Sequence, residues 1–245
     1  MIYVTGDKHG DYYLVRNFCE VFDTNPKDLL IVLGDNGVNF HGDRRDCLKK
    51  KTLTKVPITF MMIRGNHDMR PIGSTFHPIH IETEKYAGDF LIEDEFPNIL
   101  YAIDGNVYRL GDHQAIVMGG AYSVDKYIRL EQQNRGMKGY RWFPDEQLSQ
   151  DEMNIIEKNV SQMDVLPDLV LAHTCPLRFK PYDKLKDTTV DETMERWFDK
   201  MFDRLSQPKW LCGHWHINLC TESIRFMYEN IYPLEKAIPK EKQHD

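Results

Sequence analysis

The apolar run Ile58–Ile63 follows Pro57 and stops abruptly at Arg64-Gly65-Asn66-His67-Asp68. A run of that length between a proline and a glycine reads as a buried β-strand. Four further apolar runs end in the same manner. Ile2–Thr5 ends at Gly6-Asp7-Lys8-His9-Gly10, and Leu29–Leu33 ends at Gly34-Asp35-Asn36-Gly37. Leu169–Ala172 ends at His173-Thr174-Cys175-Pro176, and Trp210–Cys212 ends at Gly213-His214-Trp215-His216. Polar residues that crowd the carboxyl ends of buried strands lie on the sheet edge where open α/β folds build their sites. The pattern confines the chain to α/β architectures and points to a site at one edge.

Between the first two strands, Asp11 can cap a helix whose apolar side carries Leu14, Val15, Phe18, Val21 and Phe22. Strand, helix, strand implies parallel pairing and a right-handed crossover. A second helix is expected over Arg44–Val56. Short β runs at Ile99–Ile103, Val107–Leu110 and Ala115–Met118, separated by Asp104-Gly105-Asn106 and Gly111-Asp112, predict an antiparallel meander. Residues 127–147 read as loop-rich, with Arg129, Arg135, Arg141, Trp142 and Phe143 available to line a surface. Ser149-Gln150-Asp151-Glu152 is a capping box opening a helix with Met153, Ile156, Val160 and Met163 on its buried stripe. A further helix carries Met194, Trp197, Phe198, Met201, Phe202 and Leu205, and residues 217–232 predict a hairpin turning near Glu222-Ser223. The expected organisation is one domain over residues 1–234 with a polar, frayed tail over 235–245.

The chain's 245 residues can bury one substantial core, and 41% apolar with 28% charged residues is an ordinary globular balance. A formal charge of −7 disfavours a broad electrostatic grip on extended nucleic acid. No stretch approaches the ~18 apolar residues of a membrane span. The cysteines Cys19, Cys47, Cys175, Cys212 and Cys220 are odd in number and form no CxxC pair, as suits reduced thiols. With no leader before Ile2, the expectation is a soluble cytoplasmic protein.

The five strand ends offer Asp7 and His9, Asp35, Asn66, His173, and His214 with His216 as metal-type ligands. Residues two apart on an extended stretch point the same way, so each pair can meet one ion or neighbouring ions. Carboxylate, imidazole and amide oxygen suit Mn, Fe, Zn or Co. The set holds no thiolate, which argues against a closed structural zinc site. A single Asp here could equally cap a helix, and a single His could pack in a core. The concurrence of all five strand ends carries the reading. His41, His77, His80, His113 and His244 fit no such spacing and read as surface or packing residues.

The order Gly6-Asp7-Lys8-His9-Gly10, Gly34-Asp35, Gly65-Asn66-His67-Asp68, His173, Gly213-His214-Trp215-His216 resembles the calcineurin-like metallophosphoesterases across nearly the whole chain. Gly119-Gly120-Ala121-Tyr122-Ser123-Val124-Asp125-Lys126 and Trp142-Phe143 resemble a bacterial and phage-type branch of that superfamily. The resemblance implies an α/β fold, a four-layer αββα sandwich of two mixed sheets. It implies that Asp7, His9 and His216 hold one divalent ion, that Asn66, His173 and His214 hold a second, and that Asp35 bridges them. Mn is the favoured metal. Such a pair would share an acidic water that attacks phosphorus in line. His67 would stabilise or protonate the leaving oxygen, oriented by Asp68, and Tyr122 and Arg129 are candidate substrate contacts.

The second block lacks the phosphate-gripping arginine of the superfamily's protein phosphatases, reading Gly34-Asp35-Asn36-Gly37-Val38-Asn39. A phosphodiester or nucleotide-type substrate is therefore favoured over a phosphoserine or phosphothreonine protein. The third alternative is a catalytically silent scaffold of the same fold, which would have no need of the complete ligand set.

Overall fold

The computed structural model describes residues 1–71, 79–82, 85–137, 139–182 and 191–240. Its N-terminal elements are β1 (Ile2–Thr5), α1 (Tyr13–Phe22), β2 (Leu29–Leu33), α2 (Arg44–Leu53) and β3 (Thr59–Ile63). There follow β4 (Ile79–Glu82), β5 (Phe90–Glu93), β6 (Ile99–Ala102), β7 (Val107–Leu110), β8 (His113–Met118) and α3 (Lys126–Asn134). The C-terminal part holds α4 (Gln150–Ser161), β9 (Leu169–Ala172), α5 (Thr193–Arg204), β10 (Lys209–Cys212), β11 (Leu219–Cys220), β12 (Ile224–Phe226), β13 (Tyr232–Pro233) and α6 (Leu234–Ala237).

One sheet runs β13-β1-β2-β3-β6-β5-β4 and the other β11-β12-β10-β9-β8-β7. Both are mixed. Each has a parallel centre, β1-β2-β3-β6 or β12-β10-β9-β8, with antiparallel strands at its edges. Alternation along the strands sorts the side chains into layers. Ile31 and Leu33 share one cluster with Val117, Leu171 and Leu211 between the sheets. Leu30 and Val32 point the other way, toward Val15 and Cys19 of α1 and Leu53 of α2. On the far side, Met118, Val170 and Trp210 pack beneath α4 and α5. The result is the four-layer αββα sandwich. Leu29–Leu33 is fully buried, and each such side chain contributes roughly 1.5–3 kcal/mol.

The capping box is formed as expected, with Ser149 Oγ accepting from the Glu152 N–H and the Glu152 carboxylate accepting from Ser149. The stripe of α5 is wholly buried, and β11 and β12 form the terminal hairpin.

Other expectations fail for identifiable reasons. The segment 99–118 is not one meander: β6 pairs parallel with β3 in the first sheet, while β7 and β8 form a hairpin in the second. Ile99, Leu100 and Tyr101 are all buried, as in a central strand. Gly105, with φ +85°, turns the chain from one sheet to the other. That conformation looks the same in sequence as a hairpin turn. Residues 127–147 are not all loop, because α3 occupies Lys126–Asn134. None of its residues is buried, so it has no apolar stripe to read. The apolar side of α1 buries Val15 but leaves Leu14, Val21 and Phe22 exposed, and α2 stops at Leu53 rather than Val56. At the start of the expected tail, Leu234–Ala237 forms α6 with Ala237 buried, and residues 241–245 lie outside the described residues. His244 and the side chains of His77 and His80 lie outside the described residues. No helix among the described residues is long and apolar enough to cross a membrane.

Candidate active site

The carboxyl ends of β1, β2, β3, β9 and β10 converge on one cleft of about 600 Å³, lined in part by His9, Asp35, Asn66, His67, His214 and His216. Asp7 and His173 lie buried beneath it. All the ligand-type residues expected from sequence are brought together, though not by the expected backbone. His9, Asp35, His214 and His216 take positive φ values of 47°, 46°, 65° and 49°. Left-handed turns, not extended strands, aim these side chains. Such conformations cost roughly 1–3 kcal/mol each and gather at functional sites. Close packing at glycine makes room: a Cβ on Gly34 would overlap His173 Nδ1, and one on Gly213 would overlap Asp7 Oδ1.

In the outer half of the cleft, His216 Nε2 lies 3.1 Å from Asp7 Oδ2. His9 Nε2 lies 3.9 Å from the same oxygen and 3.0 Å from His216 Nε2. Asp7 Oδ2 is buried without a hydrogen-bond partner. With Asp7 Oδ2, the two imidazole nitrogens form a group close enough together that one cation could take all three as ligands. In the inner half, His173 Nδ1 donates to the Leu33 carbonyl (2.7 Å). Its Nε2 lone pair then meets Asn66 Oδ1 at 2.9 Å and Asp35 Oδ1 at 3.4 Å. Converging acceptors of this kind are satisfied by a cation between them. His214 packs edge-on against His173, with ring centroids 5.0 Å apart. Asp35 reaches both halves, with Oδ2 3.8 Å from His9 Nδ1.

The electrostatics fit a cation as well. Burial works against an ionised Asp7, yet the His173 and His216 imidazoles beside it hold its carboxyl at about 2. Burial, with Asp7 and Asp68 nearby, pushes Asp35 well up. Burial and then His173 bring His214 down to about 3, and burial and then Arg129 bring His67 down to about 2. Burial holds His9 and His214 in the neutral form that a metal ligand requires, whereas the Asp7 carboxylate draws His216 up, and Asp35 is a carboxylate that a cation would have to hold ionised.

His67 donates its backbone N–H to Asp35 Oδ1 (2.9 Å) and places Nε2 3.2 Å from Arg129 Nη2. Arg129 is held by Asp125 at 2.7 Å and lines the cleft. Asp68 does not take up its expected role of orienting His67. Its carboxylate instead accepts from the N–H groups of Asn36, Gly37 and Gly65 and from Asn36 Nδ2, clamping the second loop to the third. Tyr122 also departs from expectation: it is buried and lies outside the cleft lining. Arg64 braces the loop, donating to Asp104, Gly119, Asp145 and Glu146.

Sequence reasoning missed part of the cleft wall. Phe40, His41, Lys49 and Trp215 line it, and Lys49 Nζ donates to the Gly37 carbonyl (2.8 Å). His41 therefore faces the cleft rather than serving only as a surface or packing residue. Trp215 stands inside the Gly213–His216 block but between the ligand-type residues, and Phe40, His41 and Lys49 carry no motif signal, because each is single and reaches the cleft through tertiary packing. Cys175 and Cys212, beside the candidate ligands, are fully buried and serve as small packing residues.

Two sheets meeting at a carboxylate–imidazole–amide cluster define a metallohydrolase-type centre. The family model for calcineurin-like phosphoesterases matches residues 1–218, and the chain belongs to that family, whose members are metal-dependent phosphoester hydrolases. No curated protein matches the chain. Among solved structures, it is similar to phosphopantetheinyl hydrolase from Mycobacterium tuberculosis at 15% identity, covering 93% of this chain and 87% of that one with a TM-score of 0.44. It is similar to a protein serine/threonine phosphatase from Saccharomyces cerevisiae at 15% identity, covering 93% and 66% with a TM-score of 0.34. A further structure shares the fold at 11% identity and a TM-score of 0.51, over 92% of this chain and 88% of that one.

Proposed function

We propose that the chain hydrolyses a phosphodiester or nucleotide-type substrate at a dinuclear centre. Asp7, His9 and His216 hold one divalent ion, Asn66, His173 and His214 hold the other, and Asp35 lies between them. The observation that carries this reading is the buried, unpartnered Asp7 Oδ2 facing His9 and His216, with the lone pairs of His173 and Asn66 converging beside it. Mn is the favoured metal. When bound, the ions supply an acidic water and neutralise charge on the phosphoryl oxygens.

The chain's own residues do the rest. Arg129 stands in for the arginine absent after Asp35 and grips a phosphoryl oxygen through its free N–H groups. His67, beside Arg129, donates a ring N–H to the charge that develops on the leaving oxygen. Phe40, Val124 and Trp215 offer apolar walls to the leaving group, and Lys49 offers a cation at the rim. Those walls favour a base or other flat organic moiety over a bare monoester.

The test is hydrolysis of aryl phosphate diesters and monoesters with Mn²⁺ present, followed by a nucleotide panel. Diester or nucleotide turnover is expected to lead. Faster turnover of phosphopeptides than of any nucleotide would move the assignment to a phosphoprotein phosphatase, and fewer than one tightly bound equivalent of metal would favour a silent scaffold. His67→Ala is expected to keep its Mn²⁺ and lose about 10²–10⁴-fold in kcat. Full turnover in that variant removes the role given to His67.

A further inference from the structure

Ser123 and Glu146 lie 23 residues apart in sequence and meet directly behind Asn66. Both are almost fully buried, at 1% and 2% exposure. Arg64 assembles the two segments: its carbonyl accepts from the Gly120 N–H (2.6 Å), and its Nη1 donates to the Glu146 carbonyl (2.7 Å). Ser123 then gives both its donors to one carboxylate, Oγ–H to Glu146 Oε2 at 2.5 Å and N–H to Oε1 at 3.1 Å. With its proton committed, Ser123 Oγ has only lone pairs left, and Asn66 Nδ2 donates to it at 2.9 Å.

The polarity of this chain has a consequence. A terminal amide can present either end, and rotation by half a turn exchanges them at little steric cost. Here the acceptor-only carboxylate dictates the serine, and the serine dictates the amide. The N–H₂ end of Asn66 is drawn backward and Oδ1 faces His173 Nε2. The other contact of Nδ2, 3.2 Å to the His67 ring, is to an imidazole that Arg129 also approaches. That contact alone does not fix the amide.

We propose that Glu146 and Ser123 are positioning residues that hold Asn66 with its oxygen toward the metal centre and so set the affinity of the ion held by Asn66, His173 and His214. The inference rests on the two-ion reading above. Outer partners of this kind change metal affinity by about 10–100-fold. They also give a task to the segment that holds Ser123, which the ligand motifs leave without one.

The experiment titrates Mn²⁺ into the full chain by equilibrium dialysis for the wild type, Ser123→Ala and Glu146→Gln, with thermal unfolding of the metal-free proteins alongside. The wild type is expected to bind two ions. Ser123→Ala keeps one at wild-type affinity and weakens the other by about 10–100-fold, while the metal-free midpoint falls by no more than about 4 °C. Glu146→Gln, nearly isosteric, weakens the same ion: the glutamine N–H₂ turns the Ser123 hydroxyl toward Asn66 and favours the flipped amide. If Glu146→Gln does not fold, Ser123→Ala decides alone. Two ions bound to folded Ser123→Ala as tightly as to wild type overturn the proposal and leave the dinuclear reading standing. A wild type that binds only one ion overturns that reading itself, and this inference with it.

Discussion

The two halves of the metal cleft are built differently. In the outer half, the His9 and His216 side chains are 40% and 47% exposed. His216 rests on the Tyr228 ring in a stack 4.6 Å between centroids. In the inner half, the His173 and Asp35 side chains are 0% and 3% exposed. There, His173 is pinned by the Leu33 carbonyl and Asn66 by Ser123. Asp7 ties the two together from below, accepting the His214 N–H at Oδ1 (2.9 Å) and leaving Oδ2 to the outer rings. The inner half is pre-organised by buried hydrogen bonds, which are costly to break in a low dielectric. The outer half is shaped by stacking and open to solvent. An ion in the inner half should therefore exchange slowly and depend on the fold, and one in the outer half should come and go without disturbing it.

The largest expected effect removes the residue shared by both halves. Asp35→Asn should lower turnover by roughly a thousandfold, about 4 kcal/mol of transition-state stabilisation, and weaken both ions in a Mn²⁺ titration. Loss of one ion only would show that Asp35 serves a single half. Next, His173→Ala should leave the Leu33 carbonyl unsatisfied, costing about 1–3 kcal/mol, and lower the metal-free thermal midpoint. His216→Ala should weaken one ion and leave that midpoint in place. Equal midpoints for the two variants would erase the distinction between the halves.

A subtler probe lies behind the inner half. Glu195 is buried, accepts from the Thr174 hydroxyl at 3.3 Å, and leaves Oε2 without a partner. Burial pushes its carboxyl up to about 7 from an ordinary 4.5. The unfolded chain therefore ionises first, and the folded state binds more protons between those values. Stability should fall as pH rises from about 4.5 through 7 and then level off, a loss on the order of 3 kcal/mol at 1.36 kcal/mol per unit. Glu195→Gln should flatten that slope in denaturant unfolding measured at pH 5 and pH 8. An unchanged slope would place the pH dependence in other groups.

The candidate ligand set was legible because each member sits at the end of an apolar run, and both features are local. Asp7, His9, Asp35, Asn66, His173, His214 and His216 all reach one cleft. The i, i+2 spacing of Asp7 with His9 and of His214 with His216 predicts side chains aimed by an extended stretch, yet His9, His214 and His216 are aimed by left-handed backbone. Asp68 looked like a partner for His67 because it follows directly in sequence, but three backbone N–H groups and the Asn36 amide claim its carboxylate. Tyr122 looked available, but it packs inside the fold. Lys49, Phe40, Ser123 and Glu146 gave no signal, since their importance lies in what they touch.

By itself the sequence determined the α/β class, the parallel pairing of the first strands and the carboxylate, imidazole and amide groups that stand at the strand ends. Apolar runs, turn residues and donor types act over a few neighbouring residues and leave a readable period. The tertiary structure alone decided that β6 and β7 belong to different sheets, which way each imidazole is turned, and that a distant serine and glutamate stand behind Asn66. Those outcomes depend on contacts between residues tens to hundreds of positions apart. Such contacts are set by packing and by the direction of buried hydrogen bonds, and neither leaves a periodic mark along the chain.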